Sequence, residues 1–181
     1  ARASAPITVT PSNTATAGVC LPTAGAEEFG DMYFFNLFDS HADSLSGNYY
    51  DPEVAAEIAK IADKRTVRMI DHYTALTPVN DGFEVGMTYA NYNINVYTKN
   101  PQRYIQELAE YQAAANENGF EDVTLGAFEI NSGDYTGQIM VVIQAPTAVR
   151  LGEFFDAGEE AWNVAASAKF PKLRKLKRGF L

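Results

Sequence analysis

The chain has 181 residues, of which 46% are hydrophobic and 20% charged, a composition typical of one folded domain. Its formal net charge of −9 opposes contact with phosphate backbones and anionic lipid surfaces, so we expect neither nucleic acid nor a membrane as partner. No apolar run approaches the roughly 18 residues that a membrane span needs. The single cysteine, Cys20, excludes an internal disulfide and a thiolate zinc cluster.

The amino-terminal segment, residues 1–30, is rich in Ala, Thr, Ser, Pro and Gly, which predicts an extended arm. Ala1-Arg-Ala3 and Ala24-Gly-Ala26 have the small-x-small form that precedes signal-peptide cleavage. Together with the single cysteine and the acidic composition, this favours an exported protein, periplasmic or extracellular. A cytoplasmic protein is the alternative.

The first part of the predicted body contains one strand and one helix. Residues 32–38 are aromatic and apolar between polar flanks, which predicts a buried strand. Asp51 and Pro52 have the residue types of a helix cap and a first helical position. The apolar spacing predicts that this helix runs to about residue 73, with a strand over 66–76 as the alternative.

Strict alternation marks the next element. After a turn at Asp81-Gly82, residues 83–98 alternate, which predicts one long strand or a hairpin. One face is apolar and consists of Ala90, Tyr92, Ile94 and Val96. Asn100-Pro101 then starts a helix over 101–117.

A hairpin and a third helix complete the predicted body, which spans residues 31–168. The hairpin pairs 123–130 with 135–143, and Thr147 caps a helix with a wide apolar stripe. Residues 169–181 hold no acidic residue and form a predicted basic tail outside the body, docking on this chain or on a second subunit. Its six basic residues are Lys169, Lys172, Arg174, Lys175, Lys177 and Arg178.

This order of elements predicts an α+β fold with an antiparallel sheet and helices on one face. Over about 90–168 the chain resembles the ferredoxin-like dimeric α/β-barrel superfamily, that of antibiotic-biosynthesis monooxygenases and stress-responsive barrel proteins. The resemblance is carried by 93–98, the Asn100-Pro101 helix, the 123–143 hairpin and the helix after Thr147. Residues 32–90 repeat a similar order, which suggests two degenerate βαβ-type repeats forming an α/β barrel.

The resemblance implies a homodimer with a cavity between the sheet and its helices, in which members oxidise, isomerise or hold small apolar molecules, often without a metal or organic cofactor. We therefore expect a small-molecule-binding protein, in the sharper form a cofactor-independent oxygenase or isomerase acting on a partly apolar substrate. The alternative is an exported, non-catalytic structural or assembly protein that uses its arm and basic tail for subunit contacts.

The candidate catalytic residues are His72, Asp71 and Tyr73. A neutral imidazole can carry a proton near neutral pH, and the neighbouring carboxyl and phenol offer acid or hydrogen-bonding roles. A surface or capping histidine explains the same pattern without catalysis.

The candidate metal ligands are Asp39, His41 and Asp43. Alternation in an extended segment would place all three on one side, where a divalent cation would accept them. A polar loop with Asx turns is the alternative.

The polar face of the 83–98 strand is the candidate ligand-binding surface, because asparagine is disfavoured in strands. Its amides and phenols suit a hydroxyl-rich or amide ligand, or water in a cavity, whereas an exposed sheet face is the alternative. The residues are Tyr89, Asn91, Asn93, Asn95 and Tyr97.

Overall fold

The computed structural model describes residues 14–46, 52–79 and 86–181, and the chain divides into two units. The first unit includes the described residues up to Pro22 together with Ala26–Arg68, and the second consists of Thr23–Gly25 and Met69–Leu181. Among the described residues, no helix is both long and apolar enough to cross a bilayer.

The first unit contains a two-stranded antiparallel sheet followed by short helices. Strand β1 (Thr16–Cys20) pairs with β2 (Tyr33–Leu37). Helices α1 (His41–Ser46) and α2 (Pro52–Ala59) follow, and then a 3₁₀ turn at Ala62–Lys64. The predicted strand at 32–38 is thus present as β2, although its side chains are half-buried or exposed. The predicted arm, in contrast, contains β1.

The predicted long helix after Pro52 is wrong in its extent. Helix α2 ends at Ala59, and Arg65 is already extended, with φ −143° and ψ 151°. A short strand, β3 (Tyr73–Ala75), lies within the alternative strand of 66–76. The predicted cap Asp51 and the predicted turn at Asp81-Gly82 lie outside the described residues.

The second unit contains a five-stranded antiparallel sheet in the order β3-β5-β6-β4-β7. The four strands after β3 are β4 (Ala90–Tyr97), β5 (Thr124–Ile130), β6 (Ile139–Ala145) and β7 (Lys175–Phe180). Strand β6 lies between β4 and β5, and β4 lies between β6 and β7. The unit formed by β4, a helix and β5 is therefore interleaved with the unit formed by β6, its helices and β7. This arrangement is the ferredoxin-like fold.

The helices of this unit begin where the sequence predicts. Asn100 accepts a hydrogen bond from the Arg103 amide at 3.1 Å and caps α3 (Pro101–Glu117), which confirms the predicted bounds. Thr147 accepts one from the Arg150 amide, also at 3.1 Å, and caps the predicted third helix. That helix is divided into α4 (Ala148–Asp156), a 3₁₀ turn at Ala157–Glu159 and α5 (Ala161–Ser167), followed by α6 (Phe170–Leu173).

The helices cover one face of the sheet, as predicted. Ile94 and Val96 of β4, only 5% and 0% exposed, lie on the face that packs against α3 and α4. The same core contains, from the other strands and the helices, Ala127, Ile139, Val141, Ile143, Leu108, Tyr111, Leu151 and Phe154. The apolar face predicted from the alternation of β4 is therefore the helix-facing side.

Two predictions differ from the structure. The sheet of the second unit is open, with β3 and β7 at its edges, and the described residues form no closed barrel. Residues 32–90 do not repeat the second half, because β2 pairs with β1 in a sheet of its own.

The segment predicted as a basic tail is part of the sheet. Residues 175–180 pair antiparallel with β4, with a bulge at Asn95/Val96, and the preceding α6 buries Phe170. A strand with three charged residues in six forms here because the edge of β4 supplies backbone partners.

Candidate functional site

A cavity of about 100 Å³ lies between the sheet and the helices of the second unit. Strands β4, β5 and β6 line its sheet side through Ile94, Leu125, Val141 and Ile143, and α3 contributes Leu108 and Tyr111. The remaining wall comes from the end of α5 and from the α6 region, through Ser167, Phe170 and Arg174. The lining is mostly apolar, with one phenol, one hydroxyl and one guanidinium.

Tyr111 is held in place by a polar and an aromatic contact. Its hydroxyl donates a 3.1 Å hydrogen bond to Asn163 Oδ1 inside the core. Its ring lies 6.3 Å from the ring of Trp162, centroid to centroid. Burial raises the pKa of Tyr111, and the hydrogen bond to Asn163 and the charge of Arg174 only partly oppose this shift. The phenol is therefore neutral near neutral pH.

Arg174 brings a positive charge to the cavity wall. Its guanidinium donates a 2.7 Å hydrogen bond to the Tyr104 hydroxyl and lies 4.9 Å from the centroid of the Phe170 ring. Burial raises the pKa of Tyr104, and the charge of Arg174 counteracts part of that rise. The two neutral aromatic side chains orient the guanidinium without cancelling its charge.

A buried carboxylate lies next to this wall on α3. Glu107 is 2% exposed and forms ion pairs with Arg103 and with Lys169, the latter at 2.9 Å. Lys169 also pairs with Glu110 at 3.1 Å, and hydrogen bonds to both carboxylates raise its pKa. The charges of these side chains are thus compensated within their own network.

The predicted catalytic residues lie near the edge strand β3, and none of them lines the cavity. The His72 amide donates a 3.0 Å hydrogen bond to Ser132 Oγ, and its carbonyl accepts one from the Asn131 amide at 2.7 Å. Tyr73 donates through its hydroxyl to Asp71 Oδ2 at 3.2 Å. The structure therefore joins Asp71 to Tyr73 and ties His72 to the β5–β6 turn.

Asp71 is the carboxyl group in this cluster with a perturbed titration. Burial raises its pKa, the hydrogen bond from Tyr73 opposes the shift, and the nearby charge of Asp134 adds to it. Its Oδ1 is buried without a hydrogen-bond partner among the described residues, next to Gly133 in the turn. A carboxyl group in this setting retains its proton to a higher pH than an ordinary aspartate.

The three predicted metal ligands are not brought together. Residues 41–46 are helical, so the alternation on which that prediction relied does not apply. The Ser40 hydroxyl instead donates a hydrogen bond to the Asp43 carboxylate, and its Oγ accepts one from the Asp43 amide at 3.0 Å. Within the described ranges, no group of three His, Cys, Asp or Glu side chains is placed to hold a metal ion.

The predicted asparagine face is found on β4, opposite the cavity. Asn93 and Asn95 are 7% and 4% exposed, whereas Tyr97 is 46% exposed. In the part of the chain that the structure describes, the Oδ1 atoms of Asn91 and Asn95 are buried and accept no hydrogen bond. Tyr89 precedes the strand and contacts Met87. Four of the five predicted residues, Asn91, Asn93, Asn95 and Tyr97, therefore lie at alternate positions of β4 and share one face.

The polar groups that line the cavity are not among the site residues predicted from the sequence. Tyr111 follows Tyr104 and Leu108 at helical spacing on the buried side of α3, so its position was available from the sequence pattern. Ser167 and Arg174 carry no such signal, since nothing local separates Arg174 from the basic residues around it. Their role depends on how α5 and α6 return over the sheet.

Comparison with known proteins supports the fold. No family model and no curated protein sequence matches the chain. Among solved structures, the chain is similar to the crystal structure of a putative monooxygenase from Lactobacillus acidophilus NCFM, with a TM-score of 0.58 and 8% sequence identity. The match covers 99% of this chain and 83% of the other. At this identity the likeness shows a shared ferredoxin-like, monooxygenase-type fold.

Proposed function

We propose that the second unit binds a small, partly apolar molecule in the cavity between its sheet and helices. The observation that carries the proposal is the cavity itself, which is lined mainly by aliphatic and aromatic side chains and has a few polar groups on its wall. Apolar cavities with few convergent polar groups are the usual form of small-molecule sites. The fold shared with a putative monooxygenase adds support.

The volume limits the ligand. Binding pockets for larger ligands span about 300–1,000 Å³, whereas this cavity measures about 100 Å³. An apolar cavity of about 150 Å³ binds benzene, so a ligand of this cavity is no larger than one small ring or a short branched chain.

We further propose turnover of the oxygenase or isomerase kind, which is the sharper form of the expectation from the sequence. If the reaction takes place in the cavity, its proton transfers involve Tyr111 or Ser167, because His72 does not line it. The dimer and the export of the protein stay predictions. The assembly alternative loses its main argument, since the basic segment is folded into the sheet.

Native mass spectrometry of the purified protein tests the binding proposal, followed by titration of the protein with phenol. Trp162 is the only tryptophan in the chain and packs against Tyr111, so its fluorescence reports on the cavity. We expect a copurified small organic molecule, or a saturable change in Trp162 fluorescence with one phenol per chain. Absence of both would contradict the proposal.

A pair of variants on α5 provides the control. Ser167→Leu places a larger apolar side chain on the cavity wall, whereas Ala165→Leu adds one at an exposed position of the same helix. We expect Ser167→Leu to weaken phenol binding at least tenfold and Ala165→Leu to leave it unchanged. Equal binding by the two variants would place phenol outside the cavity.

A further inference from the structure

We propose that the natural ligand of this cavity is a small carboxylic acid, bound as its carboxylate by Arg174 with its apolar part among the aliphatic side chains. This inference rests on the proposed function and specifies the chemical class of the ligand. The first support is position, because Arg174 is the only cationic side chain among the residues that line the described cavity.

The second support is that the charge of Arg174 is not paired with a carboxylate among the described residues. The hydroxyl of Tyr104 accepts one hydrogen bond, and the rings of Phe170 and Tyr104 lie 4.9 and 5.8 Å from the guanidinium carbon. Among the described residues, no carboxylate pairs with this arginine. A guanidinium has five N–H donors in a planar fork that fits a carboxylate with two parallel hydrogen bonds. Donors therefore remain for a ligand.

The neighbouring charges do not supply that anion. Glu107 and Glu110 are both engaged by Lys169, and Glu107 also by Arg103, so the two carboxylates of this cluster already have their cations. The segment that contributes Phe170 and Arg174 to the wall holds six basic residues and no acidic one. The surroundings of Arg174 thus favour a negative charge, although the chain as a whole is acidic.

Burial strengthens this preference. Arg174 is half-buried, and the wall around it is made of Ile94, Leu108 and Phe170. An ion pair in such surroundings is screened less by water and salt than one on an open surface. A ligand with an apolar body and one carboxylate satisfies both parts of the wall, whereas a neutral apolar molecule leaves the guanidinium donors to water.

The test compares isobutyrate with its neutral isostere isobutyramide, titrated into the full chain and followed by Trp162 fluorescence and calorimetry. We expect isobutyrate to bind at least about tenfold more tightly, as charge-assisted hydrogen bonds exceed neutral ones. Arg174→Met should remove that preference while changing isobutyramide binding less than about twofold.

Lys172→Met is the matched control, because it removes an exposed positive charge from the same segment and Lys172 does not line the cavity. We expect this variant to keep its preference for isobutyrate. If Arg174→Met does not fold, as judged by its melting temperature, Arg174→Gln replaces it. Equal affinity for the two probes in the unsubstituted protein would overturn the carboxylate inference and leave the binding proposal intact. Failure of both probes and of phenol to bind would overturn the binding proposal itself.

Discussion

In the second unit, α3 and α4 cover the sheet, and residues such as Val96, Val141 and Leu151 are 0%, 1% and 4% exposed. In the first unit, Phe34 of β2 is 56% exposed and Leu45 of α1 is 76% exposed. Both units have strands and helices with apolar side chains. The difference shows that apolar sequence produces a core only where a second layer covers it.

The largest expected contrast concerns two leucines. Leu151→Ala removes a buried side chain from α4, and we expect a loss of about 2–5 kcal/mol in the free energy of unfolding. Leu45→Ala, at a site 76% exposed in the first unit, should change it by less than about 0.5 kcal/mol. Urea denaturation followed by circular dichroism measures both. A similar loss in the two variants would mean that Leu45 is buried in solution.

The next contrast compares two glycines with positive φ, one in the β5–β6 turn and one in the first unit. Gly133 (φ +91°) and Gly30 (φ +93°) both disfavour a side chain, which costs about 1–2 kcal/mol in each case. A Cβ at Gly133 would also overlap Asp71 Oδ1, whereas no atom of the described residues lies within 4 Å of one at Gly30. We expect Gly133→Ala to lower the melting temperature more than Gly30→Ala. Equal shifts would show that the turn moves away from Asp71 easily.

Two glutamates compare a buried ion pair with an exposed one. Glu107→Gln removes the carboxylate that holds Arg103 and Lys169, and we expect a loss of about 1.5 kcal/mol. Glu28→Gln removes a carboxylate whose side chain is 71% exposed and which pairs with Arg68 at 3.3 Å, and no measurable loss is expected. Added salt should leave the first loss largely unchanged. A loss at Glu107 that disappears in high salt would place that carboxylate in water.

Two aspartates should give opposite dependences on pH, with the smallest effects. Burial raises the pKa of Asp71 in the folded protein. Stability is therefore lost as pH rises from the pKa of this aspartate in the unfolded chain through its raised pKa in the folded protein. The pKa of Asp31 is lowered, chiefly by the hydrogen bond from the Glu28 amide, so its contribution is present at neutral pH and lost as pH falls.

Asn substitutions at these aspartates test the sign. Asp71→Asn keeps an acceptor for Tyr73 and cannot ionise, so its melting temperature relative to the unsubstituted protein should be higher at neutral pH than at acidic pH. Asp31→Asn should lower the melting temperature relative to the unsubstituted protein at neutral pH only. Melting temperatures measured across an acidic-to-neutral pH series check both. Parallel pH profiles for the two variants would contradict the assigned shifts.

The sequence predicted those elements whose signals are local. The alternation of β4, the Asn-Pro start of α3 and the Thr147 cap each act within a few residues, and each is confirmed. Strands β1 and β7 were missed because neither alternates, and β7 is a strand only because β4 offers it a free edge.

The site was less predictable than the fold. The resemblance implied a cavity between sheet and helices, and one is present, but its wall includes Arg174 from a segment expected outside the body. His72 was chosen for the chemistry of imidazole, and chemistry alone does not place a residue. Which side chains meet in a cavity depends on the packing of distant segments, which single-sequence patterns do not contain.

The position of β4 in the sheet bears on how the protein is made. Both of its neighbours, β6 and β7, follow it in the chain, with α3 and β5 in between. During synthesis, β4 therefore leaves the ribosome before either of its neighbouring strands. Its backbone groups have no strand partner, and its apolar face stays uncovered, until α3, β5 and β6 have been synthesised.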